Sequence, residues 1–250
     1  MSLFQALLLA LFGWMSSIYS PVLMGGLGGW YTLGRPLVSG MVIGAIMGDI
    51  QTGIIMGAAI QMLYIGLVTP GGAMPADVNF ASWIGIPLAM AAGAGQEFAL
   101  ALAVPLSTLG VFAVYGLCAI NLYFVHKQDA YIEKGELDKA ARIPIVGQIT
   151  NILLRFFPIL IINYFGAGLV TQLVEIMPTW LTDILQIFAN MLPLVGFMLL
   201  MRMLVKKDLD LIYFVLGFIL VSVLGLGMIP IVIMALVIAY LKYQMAEKEA

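Results

Sequence analysis

Gln61 is a polar side chain inside a long apolar stretch. It continues a glycine series at Gly53 and Gly57, and steps of four residues keep it near the protein-facing side of a helix. A buried glutamine needs partners for a carbonyl and for an amide, and the hydroxyl groups of a sugar satisfy both. A hydrogen bond to another helix would satisfy them equally well. Gln61 is therefore either a ligand-binding residue or an interhelical contact.

Asp49 and Asp77 are acids that each precede an apolar run. Each is either an N-cap of the following helix or a ligand-binding group. Asp77 and Asn79 end a break rich in proline and glycine that begins at Thr69, where a carboxylate could accept hydrogen bonds from two hydroxyls. The sequence thus predicts a binding site for a hydroxyl-rich ligand, formed by Asp49, Gln61, Thr69, Asp77 and Asn79.

Motifs for catalysis are absent from the sequence. It has neither a G-x-S-x-G elbow nor an H-E-x-x-H pair, and the run Ile46-Met47-Gly48-Asp49 lacks the first glycine of a G-x-G-D motif. The single histidine, His126, ends an apolar run beside Lys127 and is interpreted as an interfacial residue. The single cysteine, Cys118, allows no disulfide and no thiolate metal site within one chain. We expect no catalytic residue, no cofactor and no metal.

The composition indicates which solvent surrounds these side chains. Of the 250 residues, 63% are hydrophobic and 10% are charged, whereas an average soluble domain has roughly 45–50% apolar and about 25% charged residues. The mean hydropathy is +1.09. A folded chain of this length needs more charged residues than this for a surface that faces water. The sequence therefore predicts a protein of the lipid bilayer. A net charge of −2 without a basic patch argues against nucleic acid as a partner.

Long apolar runs predict an all-α polytopic integral membrane protein with several transmembrane helices. We interpret 1–250 as a single membrane domain, and the hydrophilic stretch 127–142 as a cytoplasmic interfacial loop. The N-terminal run is interpreted as retained rather than as a signal peptide. The runs lie near 3–24, 36–68, 78–95, 98–125, 144–165, 184–201 and 211–241.

Two regions predict broken or re-entrant helices. Pro36 opens a segment that Asp49 interrupts after about 20 Å of helix, which is too short to span. The last run is broken between Gly225 and Pro230, and is either one tilted crossing or two half-helices. Glycines at a spacing of four in the first region predict close helix packing. Broken helices inside a membrane protein indicate a transport site.

Basic residues predict the orientation. Lys127, Lys134, Lys139 and Arg142 place the stretch 127–142 in the cytoplasm, and a second basic group begins at Arg202. Trp180 and its neighbours then lie on the outer side.

Arg155 lies within the apolar run 144–165, where an unpaired charge is costly. The sequence offers Glu175 or Asp183 as its partner.

Several motifs together resemble the IIC subunit of mannose-type sugar phosphotransferase systems. The likeness covers essentially the whole chain. The motifs that carry it are Arg35-Pro36-Leu37, Gly44-Ala-Ile-Met-Gly48-Asp49, Thr52-Gly53-Ile-Ile-Met-Gly57, Gln61-Met62, Gly72-Ala73 with Pro75-Ala-Asp77, Met177-Pro178-Thr179-Trp180-Leu181, and Gly196-Phe197 with Arg202.

The resemblance implies a permease subunit of the bacterial cytoplasmic membrane that works with a IID membrane subunit, as a trimer of IIC–IID pairs. It implies that a core domain carries the sugar across by an elevator-type motion. Soluble IIA and IIB components, phosphorylated on histidine, then deliver phosphate at the cytoplasmic face. The single histidine of this chain, His126, agrees with that division of labour.

One departure from the family concerns the substrate. Many members have Glu where this chain has Gln61, so an amino sugar such as N-acetylgalactosamine, or a disaccharide, is as good a candidate as mannose. Two other functions stay open: an ion-coupled secondary transporter that acts alone, and a membrane scaffold or receptor that transports nothing.

Overall fold

The computed structural model describes residues 1–67, 74–176, 178–205 and 207–249, and all regular secondary structure within them is helical. This confirms the predicted all-α class. Short 3-10 turns lie at Val22–Met24 and Asp208–Asp210, and a π-helical turn, Ile152–Phe156, joins two of the helices. The helices are α1 Leu3–Met15, α2 Pro36–Met47, α3 Ile50–Leu63, α4 Val78–Ala91, α5 Gln96–Glu133, α6 Leu137–Asn151, α7 Phe157–Ile176, α8 Thr179–Leu204, α9 Leu211–Ser222 and α10 Met228–Glu249.

Two stretches of the described chain are long and apolar enough to cross a membrane, by length and composition. They are α5, with 38 residues, and the continuous helix Leu137–Gln172. Large apolar side chains such as Phe112 and Leu109 of α5 are exposed on the protein surface, as expected where the neighbouring solvent is lipid. The described chain also has several apolar helices of 10 to 17 residues, so much of the fold consists of segments that do not span by themselves.

Helices α2 and α3 form a short hairpin. Pro36 occupies the first position of α2, Gly48 ends that helix in the left-handed region at a φ of 91°, and the Asp49 side chain accepts from the Thr52 backbone N–H at 3.0 Å. With 12 and 14 residues, the helices are about 18 and 21 Å long. The predicted interruption at Asp49 is confirmed, and neither arm of the hairpin spans the membrane alone.

Glycines allow the two arms of this hairpin to touch through their backbones. A Cβ atom built on Gly53 would lie 2.7 Å from Gly44 Cα, and one built on Gly57 would lie 3.1 Å from Gly40 Cα. No side chain fits in such a gap, so the glycine spacing seen in the sequence is the condition for this packing.

Helix α4 lies at the centre of the first part of the fold. Its residues from Val78 to Leu88 and Ala89 are all buried, with Trp83 fully enclosed, and α2, α5 and α7 pack around it. An apolar helix buried on every side is typical of the interior of a helical membrane protein. The N-terminus of α4 therefore carries Asp77 into the interior.

The hydrophilic stretch 127–142 is helical on both sides of a short turn. Helix α5 continues to Glu133, Gly135 adopts a φ of 76° in the turn, and α6 begins at Leu137. Lys139 lies 3.0 Å from Glu136, and both side chains are exposed. This stretch is a helical hairpin rather than an irregular loop, and its cytoplasmic position remains a prediction.

Contacts divide the chain into two compact units, Met1–Leu200 and Met201–Ala250. In the second unit α9 ends at Ser222, Gly225 adopts a φ of 61°, and α10 begins at Met228. The last apolar run therefore forms two helices rather than one long one. The interpretation of 1–250 as a single domain remains a prediction.

Candidate functional site

The N-terminus of α4 holds two of the predicted site residues, Asp77 and Asn79, and both are fully buried. The Asp77 backbone N–H donates to the Ser107 carbonyl of α5 at 3.1 Å. Ser107 lies about 17 Å along α5 from its first residue, Gln96. The apolar layer of a bilayer is about 30 Å thick, so a helix that entered it at Gln96 would hold Ser107 at about half its depth.

The Asp77 carboxylate has two partners. Its Oδ1 accepts from the Phe80 backbone N–H at 3.0 Å, which caps α4, and its Oδ2 forms an ion pair with Nη2 of Arg155. The Arg155 side chain is 1% exposed and the Asp77 side chain 0%. Asp77 is thus a helix cap and at the same time the counter-ion of a buried cation.

The ion pair of Arg155 is formed with Asp77. The predicted partner Asp183 was wrong, since its side chain is exposed. The side chain of the other predicted partner, Glu175, lies outside the described part of the structure. The prediction considered only acids close to Arg155 in the sequence. Helix α7 packs against α4, however, and the acid that reaches Arg155 is Asp77, from much earlier in the chain.

Asn79 fastens α4 to the end of α1. Its Nδ2 donates to the Ser16 carbonyl at 2.7 Å and to the Ser16 hydroxyl at 2.6 Å. Its Oδ1 is buried, and no described residue donates to it. Next to Ser16, the Ser17 hydroxyl donates to Asn151 Oδ1 at 3.2 Å. A layer of polar groups therefore crosses the apolar interior at the level of Asp77.

The end of α3 reaches the same level. The Tyr64 hydroxyl donates to Ser107 Oγ at 2.9 Å, and Ser107 is also the residue that binds the Asp77 backbone. Gln61 lies one helical turn before Tyr64, so both side chains leave the same side of the helix. Gln61 Oε1 is buried, and no described residue donates to it. We call Gln61, Tyr64, Asp77, Asn79, Ser107 and Arg155 the central polar cluster.

Asp49 lies away from this cluster. Helix α3 separates it from Tyr64 by about 20 Å, and its carboxylate is held by Thr52, whose hydroxyl donates to Oδ2 at 2.5 Å. A cavity of about 610 Å³ opens beside it, within the range that small-molecule sites occupy. The cavity is lined by Met47, Asp49, Thr52, Ile55, Met56, Met90, Gly93, Ala94, Gly95, Gln96 and Glu97.

The remaining predicted residue, Thr69, lies outside the described residues. The described part of the same break begins at Met74, whose backbone N–H donates to the Tyr115 hydroxyl oxygen at 3.2 Å. The structure thus places Asp77 and Asn79 at the start of α4, and Gln61 one turn before Tyr64, which reaches Ser107. It places Asp49 at the other end of α3.

Sequence reasoning missed two members of the cluster, Tyr64 and Ser107. Nothing in their local sequence marks them, because each lies in an apolar run with an ordinary helical spacing. Arg155 did carry a signal, since an arginine in an apolar run needs a partner.

The central polar cluster contains polar groups without a partner among the described residues. Two amide oxygens without a donor, Gln61 Oε1 and Asn79 Oδ1, can each accept from a hydroxyl. Arg155 Nη1 is also buried, and among the described residues nothing accepts its hydrogen. Acceptors and a donor without partners are the groups that a ligand could use if each of its hydroxyls both donates and accepts.

Comparison with known proteins assigns the fold to a family. The chain matches the family model "PTS system sorbose-specific iic component" over residues 3–241. It is 27% identical over 216 residues to the fructose permease IIC component of Bacillus subtilis (strain 168), with 86% of this chain and 80% of the relative covered. It is 28% identical over 203 residues to the N-acetylgalactosamine permease IIC component 1 of Escherichia coli (strain K12), with 80% of this chain and 75% of the relative covered.

Two solved structures share the fold. One, described as "Structure of membrane protein", superposes with a TM-score of 0.82 at 23% identity, with 98% of this chain and 96% of that chain covered. The other, the cryo-EM structure of the mannose transporter ManYZ in complex with microcin E492, superposes with a TM-score of 0.59 at 24% identity, with 98% and 96% covered. The chain therefore belongs to the sorbose-type family of IIC components, and it is a IIC sugar permease of the mannose-type phosphotransferase systems.

Proposed function

We propose that this chain is the sugar-translocating membrane subunit of a phosphoenolpyruvate-dependent phosphotransferase system in the cytoplasmic membrane of a bacterium. The family match and the names of the relatives, permease components for fructose and N-acetylgalactosamine, support a hexose or an amino sugar as the substrate. This chain is about equally similar to the two relatives, at 27% and 28% identity, so a hexose and an amino sugar are both substrates to be tested.

The observation that carries the proposed sugar site is a pair of buried amide oxygens without a donor. Gln61 Oε1 and Asn79 Oδ1 are buried without a donor among the described residues, and such groups cost free energy unless a ligand or water fills them. The Asp77 carboxylate lies at the same level with acceptor capacity beyond its two partners. We assign Gln61, Asp77 and Asn79 to sugar binding, together with Thr69 in the adjoining break.

Asp49 is proposed to act at a different stage, as a contact for sugar that arrives from outside. Its cavity lies at the start of α5, Gln96, while the basic hairpin around Lys134 lies at the other end of that helix. The positive-inside bias assigns the hairpin to the cytoplasm, and the cavity is then external. A carboxylate beside a threonine hydroxyl can bind sugar hydroxyls there.

An elevator-type motion is proposed to carry the sugar to a phosphorylated IIB partner at the cytoplasmic face. Helix α2 packs on α3 through glycine backbones, so this hairpin of two short helices can move as one body. A IID membrane subunit is proposed as the necessary partner, in a trimer of IIC–IID pairs. The similarity to the ManYZ mannose transporter favours such a partner.

The Asp77–Arg155 pair bears on the alternative of an ion-coupled transporter. A site that binds a sodium ion is favoured by a carboxylate whose charge is not already neutralised by a cation. Asp77 already has Arg155 as its counter-ion, so this cluster is better suited to a neutral ligand. A scaffold or receptor that transports nothing would not explain why Gln61 Oε1, Asn79 Oδ1 and Arg155 Nη1 are buried without partners among the described residues.

Replacing Gln61 tests the sugar site. Loss of one partner in a buried hydrogen bond costs about 1–3 kcal/mol, so Gln61→Ala is expected to weaken sugar affinity by roughly 5- to 150-fold. Gln61→Glu is expected to keep transport and to shift the preference among sugars, since it introduces the residue common in the family. Equilibrium binding of labelled sugars to the purified complex with its co-expressed membrane partner measures both.

The matched control is Gln51→Ala, on an exposed position of the same helix, which should leave the affinity unchanged. Equal affinity of wild type and Gln61→Ala in a normally assembled complex would assign Gln61 to packing. No sugar binding by the wild type would favour a scaffold.

A further inference from the structure

Arg155 is a cation enclosed in the apolar interior. Its side chain is 1% exposed, and it lies between α6 and α7, far from either end of the long helix Leu137–Gln172. A guanidinium group at this depth is costly unless it is paired, and the described residues provide one carboxylate for it, Asp77.

The needs of the fold do not explain this pair. Asp77 caps α4 through Oδ1 and the Phe80 backbone N–H, and an uncharged Asn or Ser makes the same kind of cap. An apolar residue at position 155 would avoid the cost of burying a charge, because buried ion pairs are often no more stable than apolar replacements. The pair is therefore better explained by a role in binding than by a role in folding.

The guanidinium group is held in a fixed orientation. Arg155 lies within the π-helical turn Ile152–Phe156, a local widening of the helix that is frequent at functional sites. Nη2 pairs with Asp77 Oδ2, and the central guanidinium carbon lies 5.6 Å from the centre of the Phe80 ring. A planar group restrained at its edge and near its face keeps its other donors pointing in one direction.

One of those donors is unused. Nη1 is buried, and no described residue accepts its hydrogen. The neighbouring carboxylate can accept from a hydroxyl, while Nη1 can donate to an oxygen beside that hydroxyl. A carboxylate and a guanidinium side by side thus match two oxygens on adjacent carbons of a sugar, one as donor and one as acceptor.

We propose that Arg155 is a sugar-binding residue whose Nη1 donates to the oxygen next to the hydroxyl bound by Asp77, so that the pair selects sugars with two neighbouring hydroxyls. This proposal rests on the proposed sugar site at Asp77. It adds a residue from α6–α7 to a site otherwise built from α3 and α4.

The test is a binding profile with sugars that lack single hydroxyls. Labelled fructose, mannose, sorbose and N-acetylgalactosamine are first tried on the wild-type complex with its membrane partner, and the sugar bound most tightly becomes the probe. Its monodeoxy analogues then compete with it for wild type and Arg155→Lys, which keeps the charge but loses the planar fork. Arg142→Lys, at an exposed position, is the matched control.

Arg155→Lys is expected to bind the parent sugar about ten- to a hundredfold more weakly, and to bind one particular deoxy analogue as well as the wild type does. That analogue lacks the oxygen that Nη1 contacts. An unchanged affinity for the parent sugar would overturn the proposal, and so would a loss of the same factor for every analogue, since that pattern indicates a structural role.

A double variant applies if Arg155→Lys does not assemble. Asp77→Asn with Arg155→Gln leaves no lone buried charge. Compared with the wild type, this double variant should no longer distinguish the parent sugar from the deoxy analogues at two neighbouring positions. A profile that matches the wild type, or that changes at only one position, would overturn the proposal. Failure of the wild type to bind any of the sugars would instead count against the proposed function.

Discussion

Arg155→Met is expected to lower the free energy of unfolding by about 3–5 kcal/mol. The variant removes a cation that is 1% exposed and leaves the Asp77 carboxylate buried without its counter-ion, and an uncompensated buried charge is among the costliest single defects. Unfolding of the purified protein in mixed micelles with increasing denaturing detergent measures the change.

Two further variants separate this effect from loss of packing. Arg155→Met combined with Asp77→Asn removes both charges and should recover most of the lost stability, because the cap to Phe80 can be made by an amide oxygen. Arg142→Met, at an exposed position, should change stability by less than about 0.5 kcal/mol. If Arg155→Met were as stable as the wild type, the buried pair would not exist in the folded protein.

Gly53→Leu is expected to prevent α2 and α3 from packing and to abolish sugar binding. Even the first atom of a side chain at Gly53 would lie 2.7 Å from Gly44 Cα, and backbone cannot move aside as a flexible side chain can. Overpacking costs about 1–3 kcal/mol where neighbours can adjust, and the cost should exceed that range here. Thermal unfolding and sugar binding of the complex are the measurements.

Gly168→Leu provides the control for this variant. Gly168 also lies within a helix, α7, but no atom lies within 4 Å of a Cβ built there. The substitution should leave stability unchanged or raise it slightly, since leucine favours helix more than glycine does. Equal stability of the two leucine variants would show that the glycine backbones do not touch.

The short hairpin could be predicted from sequence because its signals are local. Pro36 starts a helix by its fixed φ, Asp49 caps the next helix through a residue three positions ahead, and both act within one turn. The glycine spacing predicted a close approach by the period of the helix alone. Such features need no knowledge of the rest of the fold.

The central polar cluster could be predicted only in part, because its contacts are remote along the chain. Asp77 and Asn79 were found from the break that precedes them, but Ser16 and Arg155, their partners, come from α1 and the α6–α7 junction. No spacing rule connects such positions. The π-helical turn that contains Arg155 has no marker in its apolar sequence either.

Asp49 and Asp77 differ in burial, which their local sequence does not predict. Asp49 and Asp77 look alike in the sequence, each an acid before an apolar run, and each does cap a helix. The structure gives them opposite surroundings: Asp49 is exposed beside an open cavity, and Asp77 is fully enclosed. Burial, which decides whether a carboxylate needs a counter-ion, depends on packing from the whole fold.

Sugar phosphorylation by membrane vesicles is the most direct test of the proposed function as a sugar-translocating subunit. Vesicles that contain this chain with a co-expressed IID partner, supplied with phosphoenolpyruvate and the soluble phosphocarrier proteins, should accumulate sugar as its phosphate ester. Vesicles with this chain alone should accumulate none. The proposed function would be contradicted if the chain alone accumulated unmodified sugar without phosphoenolpyruvate, driven by a proton or sodium gradient.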